Sequence, residues 1–381
     1  ITHIALITPE LDQNYAKKLE VMFYNFLWNN KPDKISREAC KMPYARGGLN
    51  MISVQEFWSS LKVSWLRRVA LSPDTTWINI LRNCLAPLNY KPEDLVKIGN
   101  SELRKLSSNI TNMFWKNILI NAAVILENFH YVYPELFSLN NVCGNSLFKI
   151  GNFPIHSKIF GKDSYVQIAD FLDENNQFLS RESFQRLTGI NLNFLDFHNI
   201  KNSIENGASK VGIRLKAVEN FSRPRPTLTF SILTKKDRGC QTFYRILMGK
   251  KVCQNHNNFE GKWHNELNRI LDVKTWDRIL SGIGKINYHN DLKWLQLRIT
   301  RRILHTNVIL SKYNTNIRNI CDFCLTDAET ISHFFFTCQK VQGLYSEFGK
   351  LLLDHNIFLN IDIKSAIFGF YNKPPMSMDN L

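Results

Sequence analysis

Apolar residues recur at helical steps from the start of the chain. Leu11, Tyr15, Leu19, Met22, Phe23, Phe26 and Leu27 fall three and four residues apart, which predicts an amphipathic helix with that stripe against a core. Thr8-Pro9-Glu10 supplies its start, with a capping hydroxyl, a first-turn proline and an early acid, and Asn29-Asn30-Lys31-Pro32 ends it. A polar connection leads to Gly47-Gly48, where a turn can use positive φ without a Cβ penalty. Ser53 and Glu56 then form a capping box for a helix carrying Phe57, Leu61, Trp65 and Val69, which Pro73 closes. Further helical patterns run from Thr111 to Phe129, Arg181 to Leu187, Trp263 to Leu271 and Trp276 to Leu280, separated by Asn, Gly and Pro clusters.

The expected fold class is therefore mainly α. The stretch Ser222-Arg223-Pro224-Arg225-Pro226-Thr227 forbids a helix and favours an extended connection. It divides the chain into a helical unit over 1–75, a helical connector over 76–221, a linker over 222–227 and a C-terminal helical unit over 228–381. No apolar run approaches the ~20 residues of a membrane span, because Asn121, Glu127, Asn128 and His130 interrupt the best stretch, so no membrane partner is expected. The chain opens on Ile1 without a basic, cleavable leader, which reads as a fragment and not as a secreted precursor.

One helix carries more information than its neighbours. From Asn290 to about His305, Leu292, Leu295, Ile299 and Ile303 share a narrow face at ~100° per residue. Trp294, Leu297, Arg298 and Arg301 lie opposite. An indole flanked by guanidiniums suits the bases and phosphates of a single strand. The alternative is a helix buried on two sides, with Trp294 in the core and the arginines snorkelling outward.

Charge adds to this picture. Against 33 Asp and Glu stand 48 Lys and Arg, a net +15, which makes polyanions plausible partners, although the basic residues are spread along the chain instead of piled in one block. The first segment contributes Lys31, Lys34, Arg37, Lys41 and Arg46.

The eight cysteines at 40, 84, 143, 240, 253, 321, 324 and 338 show no disulfide framework, and a reducing, intracellular compartment is the default. The last three are different, because Cys321-x2-Cys324, His333 and Cys338 offer the four S and N ligands of a tetrahedral zinc site within a module spanning 318–345. Five residues of ideal helix rotate by ~140°, too far for His333 and Cys338 to converge, so a helix is expected to end or tighten before Cys338. Phe334, Phe335 and Phe336 are expected to pack this knuckle against the preceding helices. Four protein ligands leave no open position, which makes the zinc structural and argues against a metallohydrolase.

Several runs resemble one family. Phe26-Leu27-Trp28-Asn29-Asn30-Lys31-Pro32, Lys34-Ile35 and Gly47-Gly48-Leu49-Asn50-Met51 resemble the thumb that follows the palm in LINE-type (non-LTR) retrotransposon reverse transcriptases, and Trp65-Leu66-Arg67-Arg68 continues the likeness. Ile168-Ala169-Asp170-Phe171-Leu172 with Phe178-Leu179-Ser180 resembles the linker of these polyproteins. Trp294-Leu295-Gln296-Leu297-Arg298-Ile299, His305-Thr306-Asn307 and Glu329-Thr330-Ile331-Ser332-His333-Phe334-Phe335 with Cys338 are similar to its zinc-binding module.

The resemblance implies a C-terminal segment that grips template RNA or target DNA during target-primed reverse transcription, in the nucleus and cytoplasm, beside the polymerase palm of the same polyprotein. The candidate nucleic-acid contacts are Lys31, Lys34, Arg37, Lys41, Arg46, Arg67, Arg68, Trp294, Arg298, Arg301 and Arg302. The chain departs from the family pattern in lacking an Ala-Asp-Asp motif or a second carboxylate constellation for two metal ions, so no catalytic residue is expected and the palm would lie upstream. The competing expectation is a truncated element whose product is only a helical scaffold or protein-interaction module.

Overall fold

The computed structural model describes Thr8 and residues 11–71, 75–161, 165–216, 226–234, 240–254, 258–286, 289–358 and 361–369. In chain order its helices are α1 (Gln13–Leu27), α2 (Arg37–Lys41), α3 (Val54–Leu71), α4 (Ile78–Leu85), α5 (Asn100–Asn109), α6 (Met113–Asn128), α7 (Arg181–Thr188) and α8 (Phe194–Lys210). They continue as α9 (Leu228–Leu233), α10 (Gln241–Gln254), α11 (Asn258–Leu267), α12 (Val273–Ile286), α13 (Asn290–Thr300), α14 (Asn307–Leu310), α15 (Gln339–Asp354) and α16 (Ile363–Phe368). Between α6 and α7 lies a two-stranded antiparallel ribbon, β1 (Lys149–Ile150) and β2 (Phe153–Pro154), with Lys149 opposite Pro154. The fold is mainly α, as expected. No helix among the described residues is long and apolar enough to cross a membrane.

The chain divides into two units, one of residues 1–22 with 53–254, the other of residues 23–52 with 255–381. This division crosses α1 and differs from the expected boundaries at 75 and 222–227. Of that linker, 222–225 lie outside the described residues, while Pro226 and Thr227 are part of the first unit: the Pro226 carbonyl accepts from Gln167 (2.9 Å) and the Thr227 hydroxyl caps α9. Pro9, Glu10 and Pro73, expected to bound two helices, also lie outside the described residues, as do Lys235, Lys236 and Arg238.

The first unit packs around α3 and α6. Leu61, Val63, Leu66 and Val69 of α3 are buried, as are Trp115, Ile118, Leu119, Ala122 and Ile125 of α6. Side-chain caps set the helix starts, with Asn112 accepting from the Phe114 and Trp115 amides, and Ser180 and Asn193 opening α7 and α8. At α3, the Ser53 hydroxyl donates to Glu56, whose carboxylate also pairs with Lys251 at 2.5 Å. Lys62 is buried in the middle of α3, its ammonium 4.9 Å from the Trp58 ring and 4.8 Å from Phe114, donating to the Thr8 carbonyl.

The second unit has two apolar clusters. One gathers Phe259, Trp263, Trp276, Ile279, Leu280, Ile299, Ile331 and Phe368, with the Trp263 indole N–H donating to the Thr300 carbonyl (2.7 Å). The other gathers Tyr24, Trp28, Ile35, Cys40 and Leu297. The α1 stripe is thus not the expected one. Tyr15, Met22, Phe23 and Phe26 are exposed, while Ala16, Tyr24 and Trp28 are buried, so the buried face is displaced by one residue, about 100° around the helix.

The connection after α2 doubles back through Gly47, whose φ of +67° lies in the left-handed region. Gly48 is required for a different reason: a Cβ there would lie 1.9 Å from the Met42 carbonyl oxygen.

Candidate metal centre

The cluster begins on a tight hairpin in the second unit. Ile320 bridges Ala328 in antiparallel fashion, and the Cys321 amide donates to the Asp327 carbonyl (2.8 Å). Leu325 closes the loop at φ +59°, donating its amide to the Cys321 carbonyl (2.9 Å). This turn places Cys321 and Cys324 on one side of the hairpin. A helical turn then opens at Ile331 and widens into a π turn over His333–Thr337.

That widening replaces the expected tightening. The Cys338 amide donates to the His333 carbonyl at 3.0 Å, a five-residue closure that brings together two side chains an α-helix would hold apart. Cys338 itself takes φ −62°, ψ 130°, so the helix does end there, and α15 starts at the next residue.

Cys321, Cys324, His333 and Cys338 offer four ligand atoms that all lie within 4.8 Å of one another. The Cys321 and Cys338 sulfurs are 3.9 Å apart, and Cys324 Sγ is 3.3 Å from His333 Nε2. Tetrahedral zinc at ordinary bond lengths requires edges of ~3.8 Å between sulfurs and ~3.5 Å between sulfur and nitrogen, so the residues fit a tetrahedral cation. Cys321 and Cys338 are fully buried, His333 is buried, and Cys324 reaches the surface.

The groups around Cys324 favour an anionic sulfur, and those around His333 a fixed imidazole. The Phe323 amide donates to Cys321 Sγ (3.4 Å), and the Thr326 hydroxyl to Cys324 Sγ (3.2 Å). The Cys324 thiol is pushed down to about 6, chiefly because the Asp327 amide donates to it and then through Thr326. Burial pushes the Cys321 thiol up. Thr337 Oγ1 lies 3.3 Å from His333 Nδ1, which leaves Nε2 to face the sulfurs.

Glu329 ties the hairpin to the rest of the unit. Its buried carboxylate accepts from the Asn307 amide (2.8 Å), from Asn307 Nδ2 (3.3 Å) and from the Asp322 amide (3.4 Å). Thr326, Thr337 and Glu329 are the supporting residues that sequence reasoning missed. Thr337, four residues after His333, was the readable signal. Of the three phenylalanines, Phe335 packs on the second unit's core as expected, whereas Phe334 lies against Phe323 (5.3 Å) and Phe336 beside Tyr345 of the following helix (5.7 Å).

The structure sorts the basic candidates sharply. Arg301 donates to the carbonyls of Gly47 (2.5 Å) and Arg46 (3.3 Å), and Arg302 pairs with Glu266. Arg46 pairs with Asp277 (3.4 Å), Arg37 with Asp33 (2.8 Å), and the buried Lys41 with Glu38 (3.1 Å). Arg67 donates to the Leu233 carbonyl at 2.5 Å. These six hold the protein's own backbone or carboxylates. Lys31, Lys34, Arg68 and Arg298 have no acidic partner among the described residues, although Arg68 lies over Trp65 (4.5 Å) and Lys34 over Trp294 (5.8 Å). Trp294 is half-buried and packs against Trp28 at 5.7 Å, and Leu297 is buried in the same cluster, so part of the proposed Trp/Arg face is interior surface.

No protein-family model matches this chain, and the reading of the site rests on its geometry.

Proposed function

We propose that this chain is a non-catalytic, nucleic-acid-binding C-terminal segment of a LINE-type retrotransposon reverse transcriptase, and that its Cys3His cluster holds one structural zinc ion. The convergence of Cys321, Cys324, His333 and Cys338 carries the reading, because it joins the most specific run of the resemblance to a ligand set with cation geometry. Three sulfurs and an imidazole nitrogen favour zinc over hard cations, which prefer oxygen. With four protein ligands the ion's work is to hold the hairpin on the π turn and the start of α15, not to activate water. The net charge of +15, with Lys31, Lys34, Arg68 and Arg298 lacking an acidic partner among the described residues, supports a polyanionic partner, template RNA or target DNA, during target-primed reverse transcription. The catalytic palm is the expected partner within the same polyprotein, and the nucleus with the cytoplasm the expected location.

The internal use of Arg301 and Arg302 favours one second reading, a helical scaffold with no nucleic-acid role. Arg301→Ala does not discriminate the two, since that change would disturb the Gly47 turn whichever reading holds. Gel-shift titration of the whole chain on single-stranded RNA and DNA separates the two. A binder that neutralises ~6–10 phosphates loses roughly 10³- to 10⁵-fold in affinity as salt rises from 50 to 200 mM. A scaffold shows no binding at low salt, and tight binding without a salt slope contradicts the charge-driven account.

A further inference from the structure

The second unit holds a recess of about 390 Å³, within the size range of small-ligand pockets. Its wall is aromatic and apolar, from Trp28, Trp294, Leu27 and Leu49, and its charged lining is Lys31 and Lys34. The indoles of Trp28 and Trp294 are 5.7 Å apart and inclined at 48°. Local backbone geometry brings the lysines to them. Asn29 and Asn30 both adopt positive φ, 50° and 58°, a conformation asparagine tolerates better than most residues, and the chain turns sharply out of α1. The Asp33 carboxylate is taken up by Arg37 at 2.8 Å, and neither ammonium has an acidic partner among the described residues. Lys34 Nζ sits 5.8 Å from the Trp294 ring centroid, and the buried Trp28 indole N–H has no acceptor among the described residues.

A purely apolar ligand would leave the two ammoniums unused, and a free phosphate would leave the indoles unused. A group with a flat π face joined to an anion uses both. Bases in a duplex keep their faces stacked on one another, whereas an unpaired nucleotide can offer its base to an indole and its phosphate to a lysine. We propose that this recess accepts one unstacked nucleotide of a single strand, its base against the Trp294 indole and its phosphate at Lys31 and Lys34. The assignment rests on the nucleic-acid-binding reading above and narrows it to single strands at a named place.

The test compares two probes on the full chain by fluorescence anisotropy, a short labelled oligothymidylate and an abasic strand of the same length. The recess predicts tighter binding of the oligothymidylate by roughly 5-fold or more, the worth of one stacked base. Trp294→Phe keeps that preference, Trp294→Ala abolishes it, and Lys31→Ala with Lys34→Ala weakens both probes. Because Trp294→Ala also removes packing against Trp28, a measurement on the unmutated chain stands beside it: photocrosslinking to a 5-bromouracil strand, with the adduct expected on Trp28 or Trp294. Equal affinity for the two probes, or adducts confined to other residues, overturns the recess while salt-dependent binding of the abasic strand keeps the broader reading. Failure of both probes to bind at low salt overturns both.

Discussion

At the residue scale, the decisive distinction is between side chains that serve the fold and side chains left over. Arg301 illustrates it: its guanidinium reaches the carbonyl of Gly47, 254 positions away in sequence, and helical periodicity around Arg301 contains no trace of that partner. The metal cluster was legible for the opposite reason, since its four ligands lie within one short stretch and two of them form a Cys-x2-Cys pair. What the spacing did not reveal was the π turn, because an i to i+5 closure depends on how the surrounding helices hold the backbone. Thr337 is the supporting residue with the clearest consequence. Removing its hydroxyl frees the His333 ring, and partners of this kind typically contribute 10- to 100-fold in metal affinity. Thr337→Val is expected to weaken binding by about 10-fold in a competitive chelator titration while leaving the helical circular dichroism intact; an unchanged affinity would mean that the contact at Nδ1 does not orient the ligand.

At the scale of elements, most helices were readable and their faces were not always so. α6, α7 and α13 start close to where capping residues and periodicity put them, but α1 carries apolar residues on two sides, and periodicity alone cannot say which side meets a core. The structure buries Tyr24, whose hydroxyl donates to the Arg37 carbonyl (3.0 Å), and leaves Phe26 91% exposed. Tyr24→Ala is therefore expected to cost about 3–5 kcal/mol, and Phe26→Gln no more than ~0.5 kcal/mol, in denaturant unfolding. Comparable losses from the two changes would restore the face that periodicity suggested. α3 offers a pH signature. Burial pushes the Lys62 ammonium down to about 8 from 10.5, so between those values the folded chain holds fewer protons than the unfolded one. Stability gains from this residue as pH rises through that window, and is penalised below it. Urea melts at pH 7.5 and 9.5 should show the wild type gaining on Lys62→Met at the higher pH, whereas a pH-independent difference would place the ammonium in contact with water.

For the whole molecule, two units of mainly helical structure carry unequal functional information. The first, built on α3 and α6, shows a dense core and no cluster of metal-ligating residues among those described. The second contains the Cys3His centre, the Trp28/Trp294 recess and three of the four basic candidates without an acidic partner. Composition shows the net charge of +15, but not which cations remain available, because that depends on pairings set by the tertiary fold. Metal analysis of the purified full chain, joined to X-ray absorption at the zinc edge, is expected to find one zinc per chain bound by three sulfurs and one nitrogen. Less than about a tenth of an equivalent, or a shell dominated by oxygen, would contradict it.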